Sequence, residues 1–515
     1  NRMAGNTTLM VSGSDSHGTP VTVRAEQENT TPEAVFQRFH DSFLKTFQGM
    51  GILFDNFTST NTKNHADVVQ DIFSELLKKD LLYVKEQELL YDTKVKRFLP
   101  DRYVEGTCPK NNCGYENARG DQCDKCGSTL DALELINPKS KLSKTVPIIK
   151  SSEHFFLKLS DFNDKLTTWI KQKKNWRPAV KNFTLGQLNE GLKDRAITRD
   201  INWGIKIPLE GYDDKRIYVW FEAVLGYLSA TIEYSNKNPQ AVNWETFWKD
   251  EKSETVYFQG KDNVPFHAMI LPAILLGYGG LNLPYNIPAN QYVMMGGDKA
   301  SSSRNTAIWL PDYLEHLSPD SLRYYLTCIM PETSDSEFNW EDFIRRNNDE
   351  LAAKWGNLVQ RVTSFTINRM DNTVPHATHS IEDSIDLKKF IEQTFVASAK
   401  NIEKVELRAA LSSIINAAQE TNKYLDKMEP WKTIKDNKNR TNETIFCALE
   451  AIYNIAIMLY PFLPFSSEKV LKTFGNENNY TEIKWEYSNI KPNLKLLESE
   501  ILFEKLEIEN INEFF

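Results

Sequence analysis

The chain has 515 residues, 41% of them hydrophobic and 25% charged, with a net charge of -9. That length exceeds one compact core and implies roughly two to four domains, while the composition excludes a disordered or fibrous protein. No apolar run is long enough to span a bilayer, and the acidic balance leaves any nucleic-acid binding to local basic faces rather than to total charge. Four of the six cysteines fall between 108 and 126, which suits a metal site in a reducing compartment better than a disulfide framework, so the cytoplasm is the expected location. Asn1 is not an initiator Met, no secretory signal is read at the start, and natural sequence upstream is expected.

Leu9-Met-Val11 reads as a short strand running into the turn Gly13-Ser-Asp-Ser-His-Gly-Thr-Pro20. There Asp15 could hold an ammonium and His17 could donate to an anion; a turn that merely caps the next helix explains the same residues. Thr31-Pro-Glu33 opens a helix with a cap residue followed by proline, and His65 to Lys79 repeats the helical period through Val68, Ile72 and Leu76. Strands alternating with helices imply a parallel sheet.

From Leu82 the texture becomes short strands and turns, leading to Cys108, Cys113, Cys123 and Cys126. Two cysteine pairs can converge as four thiolates around one tetrahedral zinc, with Gly114, Gly120 and Gly127 for the turns. Nothing nearby offers an open coordination position beside a general base, so a structural metal is expected. His154 to Leu157 reads as a strand and the following stretch as an amphipathic helix. Lys171 to Lys174 with Trp176 and Arg177 makes either a nucleic-acid contact or a solvated basic face. Arg199 is a candidate anion binder.

The run Ile217 to Phe221 suits a strand buried on both faces, and Ala223, Tyr227, Ala230 and Tyr234 mark one stripe of a helix after it. Trp220 and Tyr227 are either pocket walls or ordinary core aromatics. Val256-Tyr-Phe258 reads as a strand, followed by a helix capped by Asp262 or Asn263 with His267 in its first turn, a place that attracts anions. Tyr292 to Met295 is a strand before a Gly/Ser loop, Asp298 to Arg304, suited to transient phosphate contact or to a plain linker. Beyond Pro311 the pattern is helical to the end: Trp355, Val359 and Val362 form a core stripe, with Asn357 and Arg361 on the opposite face, so the tail reads as a bundle.

The ordered segments Gly13 to Pro20, Phe98 to Cys108, Ser152 to Phe156, Tyr218 to Tyr227, Gly260 to His267 and Asp320-Ser-Leu-Arg-Tyr-Tyr325 together resemble the methionyl-tRNA synthetases, a class I aminoacyl-tRNA synthetase family. The resemblance covers nearly the whole chain. It implies an α/β protein: a Rossmann-like nucleotide-binding domain, an inserted zinc-binding connective domain and a C-terminal α-helical anticodon-binding bundle. The implied segments are 1–81, 82–216, 217–291, 292–353 (the signature loop and stem-contact region) and 354–515.

The implied activity is that of a ligase forming aminoacyl-tRNA, with L-methionine, ATP accompanied by Mg2+, and tRNA(Met) as partners. Asp15 would hold the methionine ammonium, and Trp220, Val224, Tyr227, Asn263 and His267 would form the methionine site, with Val224 where many relatives carry proline. Lys261, Asp262, Lys299 and Ser302 would attend ATP, Asp15, Arg199 and Lys299 would support the chemistry, and Asn357, Arg361 and Trp431 would read the anticodon.

Three departures accompany the resemblance. The His-Ile-Gly-His signature is absent from the chain. The Lys-Met-Ser-Lys-Ser signature appears as Lys299-Ala-Ser-Ser-Ser303, with Ser302 at the position of its usual second lysine. Ser140 and Ser143 stand where a second zinc knuckle would need cysteines, so one zinc is expected. A monomer, with no membrane association, is the expected state. The alternatives are a non-catalytic tRNA-binding paralogue and another class I synthetase for an apolar amino acid, the latter disfavoured by the absence of a large editing insertion.

Overall fold

The strands Val11–Ser14 (β1) and Asn56–Ser59 (β2) pair in parallel, from Val11 opposite Asn56 to Ser14 opposite Ser59. Parallel pairing needs a crossover, here made by the helices Thr19–Gln27 (α1) and Pro32–Gly49 (α2). The Thr31 hydroxyl accepts the Ala34 N–H at 3.2 Å, the cap expected from Thr-Pro-Glu. β1 starts at Val11, where the expected strand ends, and glycine is needed within it: a Cβ on Gly13 would lie 2.8 Å from the Thr58 carbonyl oxygen. This computed structural model describes residues 1–515 except 101–102, 121–122, 124, 127–129, 297, 300–306, 379, 477–481, 499, 510 and 512–515.

Lys63–Lys78 (α3) begins where Thr62 caps His65 N–H at 3.1 Å, and it buries Val69, Ile72, Phe73 and Leu76. The next region differs from the short strands expected. Leu82–Asp92 (β3) is long and leads to a small antiparallel sheet of Val104–Thr107 (β4), Ala118–Arg119 (β5) and Ile136–Ser140 (β6). Ile148–Leu157 (β7) then returns antiparallel to β3, from Ile148 opposite Tyr91 to Leu157 opposite Leu82. The inserted module has its own core of Leu90, Tyr103, Val104, Leu130 and Leu135. Asn163–Lys171 (α4), Pro178–Glu190 (α5), Gly226–Lys237 (α6) and Leu271–Tyr278 (α7) follow. Phe73, Leu157, Leu166, Leu225 and Ile274 share one buried cluster, each side chain contributing about 1.5–3 kcal/mol by leaving water.

Residues Met10–Leu44 and Phe54–Ala289 form one compact unit; Asn1–Leu9, Lys45–Leu53 and Asn290–Phe515 form the other. In the second unit Val293–Met295 (β8) pairs in parallel with Ser336–Phe338 (β9), and Pro319–Cys328 (α8) lies between them in the chain. The Asp320 motif has a structural task. Asp320 Oδ2 accepts the Ser466 N–H and hydroxyl, both at 2.7 Å, at the start of a later helix, and Arg323 donates to the carbonyls of Met50, Pro461 and Phe462.

The bundle consists of Asn357–Arg369 (α9), Glu382–Glu403 (α10), Leu407–Met428 (α11), the short Pro430–Thr433 (α12), Lys438–Leu459 (α13) and Pro464–Thr473 (α14). Trp355, Val359 and Val362 are buried as their spacing predicts. Among the described residues α13 is the one helix long and apolar enough to cross a bilayer, and 89% of its most apolar window is buried inside the fold. The chain is not helical to its end, however: Ile483, Ile490, Leu496 and Phe503 pack on the bundle from largely irregular backbone.

Candidate functional site

Expected strand 217–221 is corrected by the structure. Only Arg216–Ile217 pairs as strand; Val219–Glu222 is already a helical turn, and Ala223–Leu225 continues as 3-10 into α6. A short apolar run does not distinguish a buried strand from a buried helix. The expected stripe is displaced as well, since α6 buries Leu228, Ala230, Thr231 and Ser235 rather than Tyr227 and Tyr234.

The helical start puts Glu222 at the centre of a buried polar cluster. Its carboxylate is 0% exposed and accepts from His17 Nδ1 at 2.9 Å and from His65 Nε2 at 2.7 Å. Burial alone would raise its pKa, but the two imidazoles overcome that and hold it below the ordinary carboxylate value. His65 Nδ1 meets the Ser229 hydroxyl at 2.7 Å. The His17 ring packs edge-on to Trp203, whose Nε1 donates to the Ser16 carbonyl at 2.8 Å. Thus Glu222 ties the 13–20 turn to the segment bearing Trp220 and Tyr227.

Asp15 occupies that turn. Its side chain is exposed, yet enough protein surrounds it to desolvate the carboxyl. Burial and the nearby Glu222 charge raise its pKa from 3.8 to about 7, against the opposing effect of His17. A cation bound there would relieve the strain of a second buried negative charge.

Aromatic residues line the same segment. Trp220 stacks flat on Phe266 with ring centroids 4.1 Å apart, and Val224 is buried in the core of the same unit. The backbone from Phe266 to Ile270 is a wide π-type turn, and His267 Nδ1 lies 3.0 Å from the Asn263 carbonyl. A carbonyl only accepts, so Nδ1 carries the proton. Burial lowers the His267 pKa, which leaves Nε2 bare to accept the Tyr227 hydroxyl at 2.8 Å. Tyr257 packs edge-on to Tyr227 at 5.0 Å. Neither Asp262 nor Asn263 stands at the expected N-cap position: Lys261–Asn263 is a 3-10 turn entered through Gly260, and Pro265 precedes the turn that starts at Phe266. Arg199 sits 3.9 Å over the Tyr218 ring and donates to the carbonyls of Ala196 and Thr198, so it too joins the 218–227 segment. Lys299 pairs through its backbone with Met294, and Ser302 lies outside the described residues.

The four cysteines converge. Their sulfurs all lie within 4.8 Å of one another, Cys108 to Cys126 at 3.9 Å and Cys113 to Cys123 at 3.6 Å. Asn112 and Gly114 take the left-handed backbone the turn requires, with φ of 69° and 57°. Gly127 is outside the described residues. The Ser140–Ser143 turn is closed differently: Asp92, 0% exposed, accepts the Ser143 hydroxyl at 2.5 Å and the N–H groups of Lys94 and Val95. Burial opposes that ionisation, and these donors with Ser140 hold the carboxyl at about 2.

In the bundle, Asn357 is exposed, and Arg361 one turn on lies 5.2 Å over the ring of Trp431, which is 43% exposed. Glu429 in a left-handed conformation (φ 48°) turns the chain between α11 and α12 and so sets Trp431 on the surface. Arg361 also pairs with Asp426 at 3.1 Å. By contrast, the basic stretch 171–177 is partly spent on structure. Lys173, Trp176 and Arg177 donate to the carbonyls of Pro284, Tyr285 and Ala289, while Lys171 and Lys174 remain exposed.

Sequence reasoning missed Glu222, His65 and Trp203. The available signal was a lone carboxylate inside an otherwise apolar run, which buried chains hold only with partners.

A family model described as "tRNA synthetases class I (M)" matches residues 1–363, and one described as "Anticodon binding domain of methionyl tRNA ligase" matches 374–515. The methionine–tRNA ligase of Thermomicrobium roseum is 48% identical over 475 residues, 92% of this chain and 81% of that protein. That of Dehalococcoides mccartyi is 45% identical over 506 residues, 98% of this chain and 91% of the relative. The crystal structure of Mycobacterium tuberculosis methionyl-tRNA synthetase bound by methionyl-adenylate shares the fold, with a TM-score of 0.79 over 98% of this chain and 93% of that one at 20% identity. The chain belongs to the methionyl-tRNA synthetase family.

Proposed function

We propose that this methionine–tRNA ligase forms methionyl-adenylate in the recess around Asp15 and transfers the methionyl group to the 3′ end of tRNA(Met). The observation that carries the siting is Asp15, a solvent-reached carboxyl whose ionisation is suppressed to about 7 by burial and Glu222. A substrate ammonium supplies the missing positive charge. The thioether side chain then finds polarizable aromatic walls in Trp220 and Tyr227, with the Tyr227 hydroxyl already engaged by His267 and Asn263 holding the imidazole. Val224 backs this wall from the core. The methionine carboxylate attacks the α-phosphate of ATP and pyrophosphate leaves, so no side-chain nucleophile is required. The protein's work is positioning and charge stabilisation, assigned here to Arg199, Lys261 and Asp262, while the family resemblance assigns Lys299 and Ser302 to Mg2+-bound ATP.

The cysteine cluster fits one structural zinc. Tetrahedral Zn–S bonds of about 2.3 Å place sulfurs about 3.8 Å apart, and the observed separations are 3.9 and 3.6 Å. Burial raises the Cys108 thiol to about 12 without a cation, so four converged thiolates need one. The bundle reads the anticodon through Asn357, Arg361 and Trp431, a stacking surface with donors beside it.

Methionine-dependent ATP–pyrophosphate exchange tests the siting: Asp15→Asn should abolish most of it, and exchange at the unaltered rate refutes the assignment. Elemental analysis should find one zinc per chain, lost on Cys108→Ser.

A further inference from the structure

Ser152 and His154, polar residues of the shared segment Ser152 to Phe156, take no part in the cluster around Glu222. On β7 they alternate with the exposed Glu153, so both point to one buried face. That face meets a short antiparallel pair in which Thr198 opposes Ile217 and Arg199 opposes Arg216. Asp200 and Lys215 are the next residues of these two segments, and they form an ion pair with each side chain 10% exposed. Lys215 Nζ also donates to the Ser152 hydroxyl at 2.7 Å, and that hydroxyl donates to Asp200 Oδ1 at 3.0 Å. His154 Nε2 lies 3.1 Å from Asp200 Oδ2 without hydrogen-bond alignment. Burial opposes the ionisation of Asp200; His154, Lys215 and Ser152 overcome it and hold the carboxyl below its ordinary value. With Asp200 as its counter-ion Lys215 is no general base for Ser152, so the group holds position rather than reacts.

What it holds is the stretch from Thr198 to Trp203. Thr198, fully buried, accepts the Phe155 N–H at 3.1 Å and meets His154 Nδ1 at 3.1 Å. Arg199 therefore stands between two residues fastened to β7. Its own bonds, to the Ala196 and Thr198 carbonyls, both come from Nη1, which leaves Nη2 and Nε without an acceptor among the described residues. The guanidinium rests over Tyr218, the residue that caps the helical turn bearing Trp220 and Glu222. Three residues past Asp200, Trp203 packs on His17 and donates to the Ser16 carbonyl beside Asp15. A buried ion pair adds little net stability over apolar residues of the same volume, so its place at the root of this stretch calls for another task.

We infer that Asp200, through its pair with Lys215 and its ties to Ser152 and His154, is a positioning residue for methionine activation. It fixes the 198–203 stretch so that the free edge of Arg199 meets the anionic groups reacting beside Tyr218. The inference rests on the assignment of Arg199 to charge stabilisation in the recess.

The test is ATP–pyrophosphate exchange by the parent, Arg199→Ala, Asp200→Asn and the double variant, with the denaturant midpoint of each measured alongside. Asp200→Asn should lower kcat about 10- to 100-fold, the scale of a small misplacement, while the methionine KM stays within about twofold. In the Arg199→Ala background the same substitution should cost nothing further, because the group it acts through is gone. Losses that multiply in the double variant mark a structural role and overturn the inference. So does a parental kcat in Asp200→Asn while Arg199→Ala is impaired. A parental rate in Arg199→Ala refutes the assignment of Arg199 itself, and the inference falls with it. If Asp200→Asn does not fold, Ser152→Ala carries the same cycle. Removing the shared hydroxyl should cost about 2- to 10-fold in the parent and nothing in Arg199→Ala; an unaltered rate in the parent overturns the inference.

Discussion

Around Asp15 the polar groups are buried and bonded to one another; around Trp431 they are exposed and lightly tied. Glu222, His17 and His65 spend their bonds inside the protein, so their arrangement is set by the fold itself, and the same burial raises the Asp15 carboxyl to about 7. Trp431 and Arg361 instead lean on each other at the surface of a bundle whose stability lies elsewhere, in the core of α9 to α13. The difference suits the ligands proposed for the two regions. A small amino acid must be distinguished by a rigid site, whereas an RNA base brings its own stacking surface and needs only an accessible ring.

The largest break in that contrast should come from Glu222→Gln. Removing the charge from a buried pair costs about 3–5 kcal/mol, so denaturant unfolding should show a loss of that order together with failed exchange. The sign with pH is fixed: Glu222 is held below its ordinary pKa, so its stabilisation is present above the ordinary carboxylate value and is lost as pH falls through the folded one. The gap between parent and variant should therefore close in acid. A variant as stable as the parent at neutral pH shows that the cluster is not the recess's frame.

Asp15→Asn should act on catalysis rather than stability, lowering kcat/KM for methionine about 10²- to 10³-fold, the cost of about 3–4 kcal/mol for an unpaired substrate charge. In the parent enzyme the carboxyl titrates at about 7, and only its ionised form holds an ammonium. The exchange kcat/KM for methionine should thus decline below pH 7, and Asp15→Asn should lose this limb. A parent profile flat from pH 6 to 8 removes Asp15 from the ammonium role.

The two regions were unequally legible. The bundle's core stripe and the Asn357–Arg361 face followed from helical spacing, because a helix exposes one face and buries the other whatever it packs against. The cysteine spacing likewise announced convergence. The recess was harder to read. Strand 217–221 was misjudged because β-branched and aromatic residues buried on all sides carry no period, and tertiary burial overrides their strand preference. Glu222 meets His17 and His65 across 205 and 157 residues of chain, a pairing no local pattern encodes. The basic stretch 171–177 allowed a nucleic-acid contact or a solvated face, and local sequence did not reveal that Lys173, Trp176 and Arg177 bind carbonyls of 284–289.

Trp431→Ala should give the smaller effect expected of an exposed platform. Losing one base–aromatic stack is worth about 1–3 kcal/mol, so charging of tRNA(Met) should fall about 5- to 150-fold, while unfolding free energy changes by less than about 0.5 kcal/mol. A destabilisation matching that of Glu222→Gln erases the distinction between the regions.

Tyr227→Phe should give the smallest effect, and it separates shape from hydrogen bonding in the recess. The Tyr227 hydroxyl is a donor to a neutral imidazole, its own pKa raised to about 12 by burial, so it remains protonated across the working range. The phenylalanine ring keeps the wall, and its edge-on packing with Tyr257 at 5.0 Å survives. What is lost is one neutral hydrogen bond, about 0.5–1.5 kcal/mol, which leaves His267 Nε2 without its donor while Nδ1 stays on the Asn263 carbonyl. The methionine KM should rise about 2- to 10-fold with little change in kcat. A fall in kcat as large as that of Asp15→Asn would mean that the hydroxyl works on the reacting groups, and that the wall is part of the chemistry rather than its mould.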